Sequence, residues 1–258
     1  MLSTAETLSP ETVAGYRRDG FVHVPRVLHA AEIEEFLSDA LDVLAAEEKT
    51  RWGEDGATVL DFVENSQLKS EAMRRLALHP RITGVAERLA GAPLRLFKSE
   101  LLRKSGGSRP TEAHFDEFAL PFSGAEVGLT AWVALVDVPM ERGCLTFVPG
   151  SHRLPPSERA ADAWDAYGRE EVRWMPRVAV PVRAGDCTFH HTRVVHAAGG
   201  NATDRTRISV ATVYMDAAAV FRPTGNEHID GLAGGGEPVA GQPLQGERFP
   251  LVGEGHSP

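Results

Sequence analysis

Gly128-Leu-Thr-Ala-Trp-Val-Ala-Leu-Val136 and, after a connection holding Asp137, Pro139 and Gly143, Cys144-Leu-Thr-Phe-Val148 are the stretches whose reading decides the fold. Both are short and rich in Val, Thr, Leu and aromatic residues. Both are bounded by residues that break regular structure, which is how a strand with one or two buried faces reads. The same texture extends outward. Leu94 to Lys104 precedes them, and Val178 to Val182, Cys187 to His190 and Arg207 to Met215 follow, with Gly, Pro, Asn and Asp between. Many short strands punctuated in this way predict an antiparallel sandwich or barrel, a jelly-roll core spanning 94–220.

Upstream the pattern changes period. Ser9-Pro10 is an N-cap followed by proline at the first helical position, and Asp19-Gly20 is a stop. Phe21 to Val27 reads as a short strand. From Ala30, residues Ile33, Phe36, Leu37, Leu41 and Leu44 recur at helical spacing, the stripe of a packed helix. Gln67 to Leu89 continues as helix, interrupted at His79-Pro80 because proline disfavours a helical residue before it. The expected organisation is one domain over 1–258. Residues 1–93 form a helical part packed on the core, and 221–258 form a glycine-rich tail of loop. Residues 154–177 interrupt the strands with aromatics and arginines and are expected to be a lid.

The bulk numbers narrow the function. A length of 258 residues with 42% apolar content supports a sizeable core, and no run approaches the length of a membrane span. A net charge of −9 without a basic cluster argues against nucleic acid or an anionic membrane as partner. The first twenty residues show no signal-peptide pattern, and two distant cysteines, Cys144 and Cys187, fit a reduced cytoplasmic protein. A small-molecule substrate, acted on by a monomer or homodimer, is the expectation.

The chemistry begins at His114-Phe115-Asp116. Alternation along an extended segment sends His114 and Asp116 to one face and Phe115 to the other. An imidazole and a carboxylate on one face are two-thirds of a facial triad for Fe(II). A third ligand must come from a later strand, and His152, His190, His191 and His196 are available. His196 follows the apolar pair Val194-Val195, precedes a glycine turn, and lies eleven residues before Arg207. A turn between them would set the two side chains across one pocket. That pairing suits 2-oxoglutarate, which chelates iron at one end and needs its far carboxylate held. The planar fork of arginine matches a carboxylate with two parallel bonds.

These residues belong to a wider pattern that resembles the phytanoyl-CoA dioxygenase family of Fe(II)/2-oxoglutarate oxygenases. Tyr16-Arg-Arg-Asp-Gly-Phe-Val-His-Val-Pro resembles the family's entry helix and strand, and His114-Phe-Asp116 its H-x-D motif. Trp132-Val-Ala-Leu-Val-Asp137, Gly143-Cys-Leu-Thr-Phe-Val-Pro-Gly-Ser-His152 and the block from Gly185-Asp186 through His196, Asn201 and Arg207 match further ordered motifs. The resemblance implies a mainly β double-stranded β-helix, cupin-like, with flanking helices. It implies Fe(II) on His114, Asp116 and His196, and 2-oxoglutarate and O₂ as co-substrates. Arg207 is implied as the carboxylate clamp, with Thr146, Trp132 and Lys104 beside the co-substrate. Asp116 argues against halogenation, because relatives that bind halide carry a small residue there. The implied reaction couples oxidative decarboxylation of 2-oxoglutarate to succinate and CO₂ with C–H oxidation of a small metabolite. Hydroxylation, cyclisation and epimerisation are all open, as is a place in antibiotic or other secondary metabolism. Phe115, Phe118, Trp164, Trp174 and His191 are the candidate substrate contacts. Two rival readings are a non-oxidative cupin-like metalloenzyme and a catalytically silent small-molecule binding module.

Overall fold

The computed structural model describes residues 8–53, 58–124, 127–155, 165–234 and 239–253. The strands in chain order are β1 (Phe21–Val24), β2 (Thr50–Trp52), β3 (Leu60–Val63), β4 (Leu94–Lys104), β5 (Thr111–His114) and β6 (Leu129–Ala134). Then come β7 (Leu145–Phe147), β8 (Val178–Val180), β9 (Cys187–His191), β10 (His196–Ala198) and β11 (Arg207–Asp216). They form two antiparallel sheets, a 7-stranded one in the order β1-β9-β6-β11-β4-β3-β2 and a 4-stranded one in the order β5-β10-β7-β8. This is the jelly roll that the strand texture predicts. None of the described helices is long and apolar enough to cross a membrane.

The helices cover the outer face of the larger sheet. They are α1 (Pro10–Asp19), α2 (Ala30–Ala46), α3 (Glu71–Ala77) and α4 (Pro80–Ala90), with short α5 (Glu170–Arg173) and α6 (Glu227–Gly231) elsewhere. The Ser9 hydroxyl accepts from the Thr12 amide at the start of α1. Gly20 ends α1 at φ 83°, and a Cβ there would meet the His152 ring at 2.4 Å. Proline at position 80 starts α4 where the broken helical pattern required it.

Alternation then sorts the larger sheet. Leu129, Ala131 and Val133 of β6, Phe189 of β9 and Ile208, Val210 and Tyr214 of β11 face the helices, where Phe36, Leu44, Met73, Leu76, Ile82 and Leu89 meet them. Each such side chain contributes about 1.5–3 kcal/mol by leaving water. The other face looks into the space between the sheets.

Three expectations need correcting. The segment 1–93 holds, beside the expected strand at β1, an unforeseen β2–β3 pair, and these strands extend both edges of the larger sheet. Strands of three and four residues are too short to show a period in sequence. The tail is also tied down. Bridges join Phe122 to Phe221, Val220 to Pro243 and Arg95 to Leu251, and Leu232, Leu244 and Phe249 are buried against Phe97. Finally, the described part of the expected lid does not span an opening. Ala166 and Val172 are fully buried against Ala113, Phe115, Val148 and Val195, so this part covers the outer face of the smaller sheet. The apolar outer face of this sheet needs a covering layer.

The Tyr214 hydroxyl, fully buried, donates to the Ala77 carbonyl at 2.6 Å and ties β11 to α3. Tyr214→Phe should lower unfolding stability by about 1–3 kcal/mol, the cost of leaving a buried acceptor unpaired. Urea denaturation measures it, and an unchanged midpoint would show that the bond contributes nothing net.

Candidate active site

The smaller sheet brings the metal ligands together. β10 pairs with β5 so that His196 faces His114, and the register shifts before Ala198 meets Thr111. That bulge places an extra residue in β5 and re-aims His114. Asp116 follows at the start of a turn, on the same side. The three ligand atoms lie within 4.8 Å of one another. His196 Nε2 is 3.6 Å and His114 Nε2 is 3.9 Å from Asp116 Oδ1.

The ring orientations fit a metal. Nδ1 of His114 lies 2.8 Å from the Glu112 carbonyl, and Nδ1 of His196 lies 3.1 Å from the Val194 carbonyl. A carbonyl only accepts, so each Nδ1 carries the proton and each Nε2 lone pair is directed at the shared point. Burial pushes both imidazoles down to about 4, with the neighbouring His196 adding to the effect at His114 and His190 at His196. They are neutral ligands at neutral pH. Burial opposes the Asp116 charge, but His196, His190 and His114 outweigh it and hold this carboxyl well below the usual range.

Residues of the larger sheet hold Asp116 from the other side. The Thr130 hydroxyl donates to Asp116 Oδ2 at 2.8 Å, and His190 Nε2 stands 3.4 Å from the same oxygen. His190 is 2% exposed, and its ring packs against His196 at 4.5 Å and Phe147 at 5.3 Å between centroids. Thus His196 completes the cluster that could hold a metal, and His190 lies beside the carboxylate. His191, one residue on, points the other way and packs against His152 at 5.1 Å.

Cross-strand register turns the inner face of the larger sheet into ordered rows. Lys104 pairs with Arg207, and Leu102 with Ser209, which pairs in turn with Ala134. Glu100 pairs with Ala211, then Trp132, then Thr188. Lys98 pairs with Val213, then Thr130, then His190. The metal ligands stand over the last of these rows.

The first row holds two cations. Arg207 and Lys104 are both buried, and among the described residues no carboxylate pairs with either. Arg207 donates through one terminal nitrogen to the Gly143 carbonyl at 2.6 Å, and its guanidinium lies 5.4 Å from the Trp132 ring centre. Gly143 reaches this position at φ 82°, where a Cβ would sit 2.6 Å from the Gly199 carbonyl. Lys104 donates to the Thr111 hydroxyl at 3.2 Å. Burial and the Arg207 charge push Lys104 down to about 7, and burial pushes Arg207 down to about 10.

Among the described residues Arg207 Nε, Ser209 Oγ, Thr188 Oγ1 and His190 Nδ1 are buried without a hydrogen-bond partner, and His190 Nε2 has only its 3.4 Å approach to Asp116. Each such group costs about 1–3 kcal/mol. A polar, anionic molecule lying between Arg207 and the metal position would relieve both the unpaired charges and the unpaired polar atoms, and 2-oxoglutarate has that chemistry. Ser209 and Thr188 were not singled out in the sequence; each shares a strand face with a residue that was, two positions from Arg207 or His190.

Other candidates lie elsewhere. Thr146 pairs with Ala197 while its neighbour Phe147 pairs with His196. Alternation therefore turns Thr146 to the outer face, into a groove with Tyr167 and Arg177, and away from the co-substrate space. Phe115, between two inward residues, must also point outward; it is buried with Val148 and Val195 and meets Phe118 at 5.9 Å. Trp174 is 88% exposed, and Trp164 lies outside the described residues. An aromatic ring that reaches the site besides Phe147 is Trp52 on β2, edge-on to His114 at 5.9 Å. Its strand was too short to be recognised in the sequence.

A divalent cation at about one hundred times its dissociation constant should stabilise the fold by about 2.7 kcal/mol. Thermal unfolding with cobalt(II), which avoids iron oxidation, should show this rise in Tm. His196→Ala and Asp116→Ala should remove it, whereas His191→Ala should keep it; a Tm rise surviving in His196→Ala would refute the ligand set.

A model of the phytanoyl-CoA dioxygenase (PhyH) family matches residues 16–209. The chain is 25% identical over 167 residues to the peroxisomal phytanoyl-CoA dioxygenase of Rattus norvegicus. That match covers 60% of this chain and 49% of the relative, so the chain spans about half of that protein's length. Among solved structures it is similar to the non-haem α-ketoglutarate-dependent epimerase SnoN from nogalamycin biosynthesis, at 57% identity and TM-score 0.89, covering 93% of this chain and 96% of that one. SnoN has also been seen in complex with Fe³⁺, α-ketoglutarate and nogalamycin RO, where the identity is 56%, the TM-score 0.89 and the coverage 93% and 97%. The α-ketoglutarate-dependent carbocyclase SnoK of the same biosynthesis is 43% identical, with TM-score 0.88 and coverage of 98% and 99%. The solved structures this chain matches at high identity are non-haem α-ketoglutarate-dependent enzymes of nogalamycin biosynthesis, and the chain belongs to the phytanoyl-CoA dioxygenase family.

Proposed function

We propose that the protein is an Fe(II)/2-oxoglutarate-dependent oxygenase that oxidises a C–H bond of a small secondary metabolite. The observation that carries this is the buried pair of unneutralised cations, Arg207 and Lys104, on the same inner face as the row beneath the His114–Asp116–His196 cluster. A non-oxidative metalloenzyme has no need of that second site, and a silent binding module has no need of the metal cluster. Both buried cysteines are free, in keeping with work in the reducing cytoplasm.

In this reading His114, Asp116 and His196 hold the iron, and Arg207 grips the far carboxylate of 2-oxoglutarate. Lys104 adds positive potential beside Arg207. Ser209, Thr188 and the face of Trp132 line the space between. Bound iron and 2-oxoglutarate supply the oxidising power towards O₂ and the substrate C–H bond. The chain itself orients and shields. Thr130 and His190 keep Asp116 in place and charged, and the carbonyls of Glu112 and Val194 keep the imidazoles in the ligating tautomer. The neighbours SnoN and SnoK point towards epimerisation or ring closure, and family membership equally admits hydroxylation.

The test is to incubate the iron-loaded enzyme with 2-oxoglutarate, O₂ and nogalamycin RO as probe. Succinate formation and the product's mass are followed together. A gain of oxygen reports hydroxylation, a loss of two hydrogens reports cyclisation or desaturation, and an unchanged mass with altered retention reports epimerisation. Absence of 2-oxoglutarate turnover with any organic probe, in enzyme shown to hold iron, would count against the reading.

Arg207→Ala separates the co-substrate site from the metal. Removing one partner of a buried charge pair costs roughly 2–5 kcal/mol. The dissociation constant for 2-oxoglutarate, read from the anaerobic charge-transfer band, should rise roughly 30-fold to several thousand-fold. Arg207→Lys should recover part of the loss, because an ammonium cannot make two parallel bonds. Iron binding should be unchanged in both. An unaltered 2-oxoglutarate affinity in Arg207→Ala would rule out the clamp.

A further inference from the structure

The inner face of β4 carries charge at both ends. Lys104 and its partner Arg207 form one end, already placed at the co-substrate. Lys98 and Glu100 form the other, joined by an ion pair of 2.6 Å. Lys98 is 9% exposed, and the Glu100 side chain 24%. Taking two ions from water costs several kcal/mol each, and well-packed apolar residues in their place are often neutral or stabilising. The pair therefore adds little to the fold by itself, and its position gives it another use.

That position follows from register. Lys98 shares a row with Thr130 and His190, the two residues that hold Asp116. Glu100 shares the next row with Ala211 and Trp132. Ala211 between them is small, so the surface dips between a carboxylate and an indole. Adjacent strands are about 4.8 Å apart, which sets Lys98 and Glu100 two strands, or about 10 Å, from Thr130 and Trp132. The co-substrate end lies in the opposite direction along the strands, at Arg207. What enters the chamber from the Glu100 side therefore meets the metal from the side that 2-oxoglutarate leaves open. Glu64, one residue beyond the pairing of Val63 with Leu101, continues β3 to the Glu100 row, whereas Trp52 pairs with Leu60 and so lies level with Lys104. Glu64 also meets His228 of α6, 71% exposed, at 3.4 Å, which marks the rim.

The charges are unequal. Burial works against the Lys98 ammonium, yet Glu100, Glu64 and Asp116 outweigh it and hold its pKa above the usual lysine value. Glu100 uses only Oε1 on Lys98; its second oxygen makes no hydrogen bond among the described residues. A carboxylate has about four lone-pair positions to satisfy.

We propose that Glu100, held in place by Lys98, positions the organic substrate by accepting a hydrogen bond from a cationic ammonium group on it. This deepens the oxygenase reading and rests on it: the substrate class becomes an amine-bearing metabolite. Lys98 is a positioning residue that acts through Glu100.

Anaerobic calorimetric titration of the enzyme loaded with Fe(II) and 2-oxoglutarate tests this with two probes of one shape, benzylamine, cationic at pH 7, and benzyl alcohol, neutral. The expected result is at least about tenfold tighter binding of benzylamine, the scale of one charge-assisted hydrogen bond. Glu100→Gln should erase the preference while the 2-oxoglutarate dissociation constant stays at the wild-type value, which shows that the variant is folded. Lys98→Met, which frees both Glu100 oxygens, should widen the preference several-fold, an increase that misfolding cannot imitate. Equal or undetectable binding of benzylamine by the wild type overturns the proposal, as does a preference that survives in Glu100→Gln. Failure of the oxygenase reading would look different: the loaded enzyme would show no 2-oxoglutarate charge-transfer band at all.

Discussion

Because a strand has two faces and its side chains alternate between them, the pairing of β11 with β4 on one edge and β6 on the other governs the rest of the molecule. Once Tyr214, Val210 and Ile208 are committed to the helices, Arg207, Ser209 and Ala211 have no choice but the interior. The same commitment carries Lys98, Glu100 and Lys104 inward on β4, and Thr130 and Trp132 on β6. A slip of one residue would bury the charges against α2 and α4 and expose the apolar set. The helical layer and the chamber are thus two consequences of one register.

The chamber differs in charge along its length. At the Arg207 end two cations lie side by side without an acid, and each is less willing to hold its proton than in water. At the Asp116 end carboxylates outnumber ammonium groups, and Asp116 and Lys98 are both held in their charged forms. Such a gradient in a space shielded from solvent orients a molecule with one anionic and one metal-binding end before any specific bond forms. It also accounts for the buried polar atoms left unpaired on the inner face, which a ligand completes and an apolar core would not tolerate.

The smaller sheet is asymmetric in a different way. Its inner face carries His114, His196 and Phe147, and its outer face carries Ala113, Val195 and Ala197 under Ala166 and Val172. The segment after Asp165 is therefore bound to the scaffold on its described part, by burial of Ala166 and Val172 and by the Arg177 guanidinium 3.8 Å from the Tyr167 ring centre. A covering layer of this kind fixes β5 and β10 to each other from outside and so fixes the distance between two of the metal ligands.

Local sequence determined what local physics controls. Alternation put His114 and Asp116 on one side and Phe115 on the other. Ser9-Pro10 with Gly20, and Pro80 after His79, set helix ends through capping and the fixed proline φ. The run of short punctuated strands stated a jelly roll, and the ordered motifs the family resembles named Arg207 and the third histidine. Only tertiary structure decided which of four histidines met the pair, because that depends on β10 lying beside β5 and not on anything within either strand. It alone turned Thr146 outward, brought Trp52 from a three-residue strand against His114, exposed Trp174, and set Lys98 and Glu100 over the same chamber as Arg207. A residue's face within its strand is a matter of parity and can be read from the chain. What that face looks at is set by pairing partners many residues away, and the energy that selects them is burial summed over the whole core.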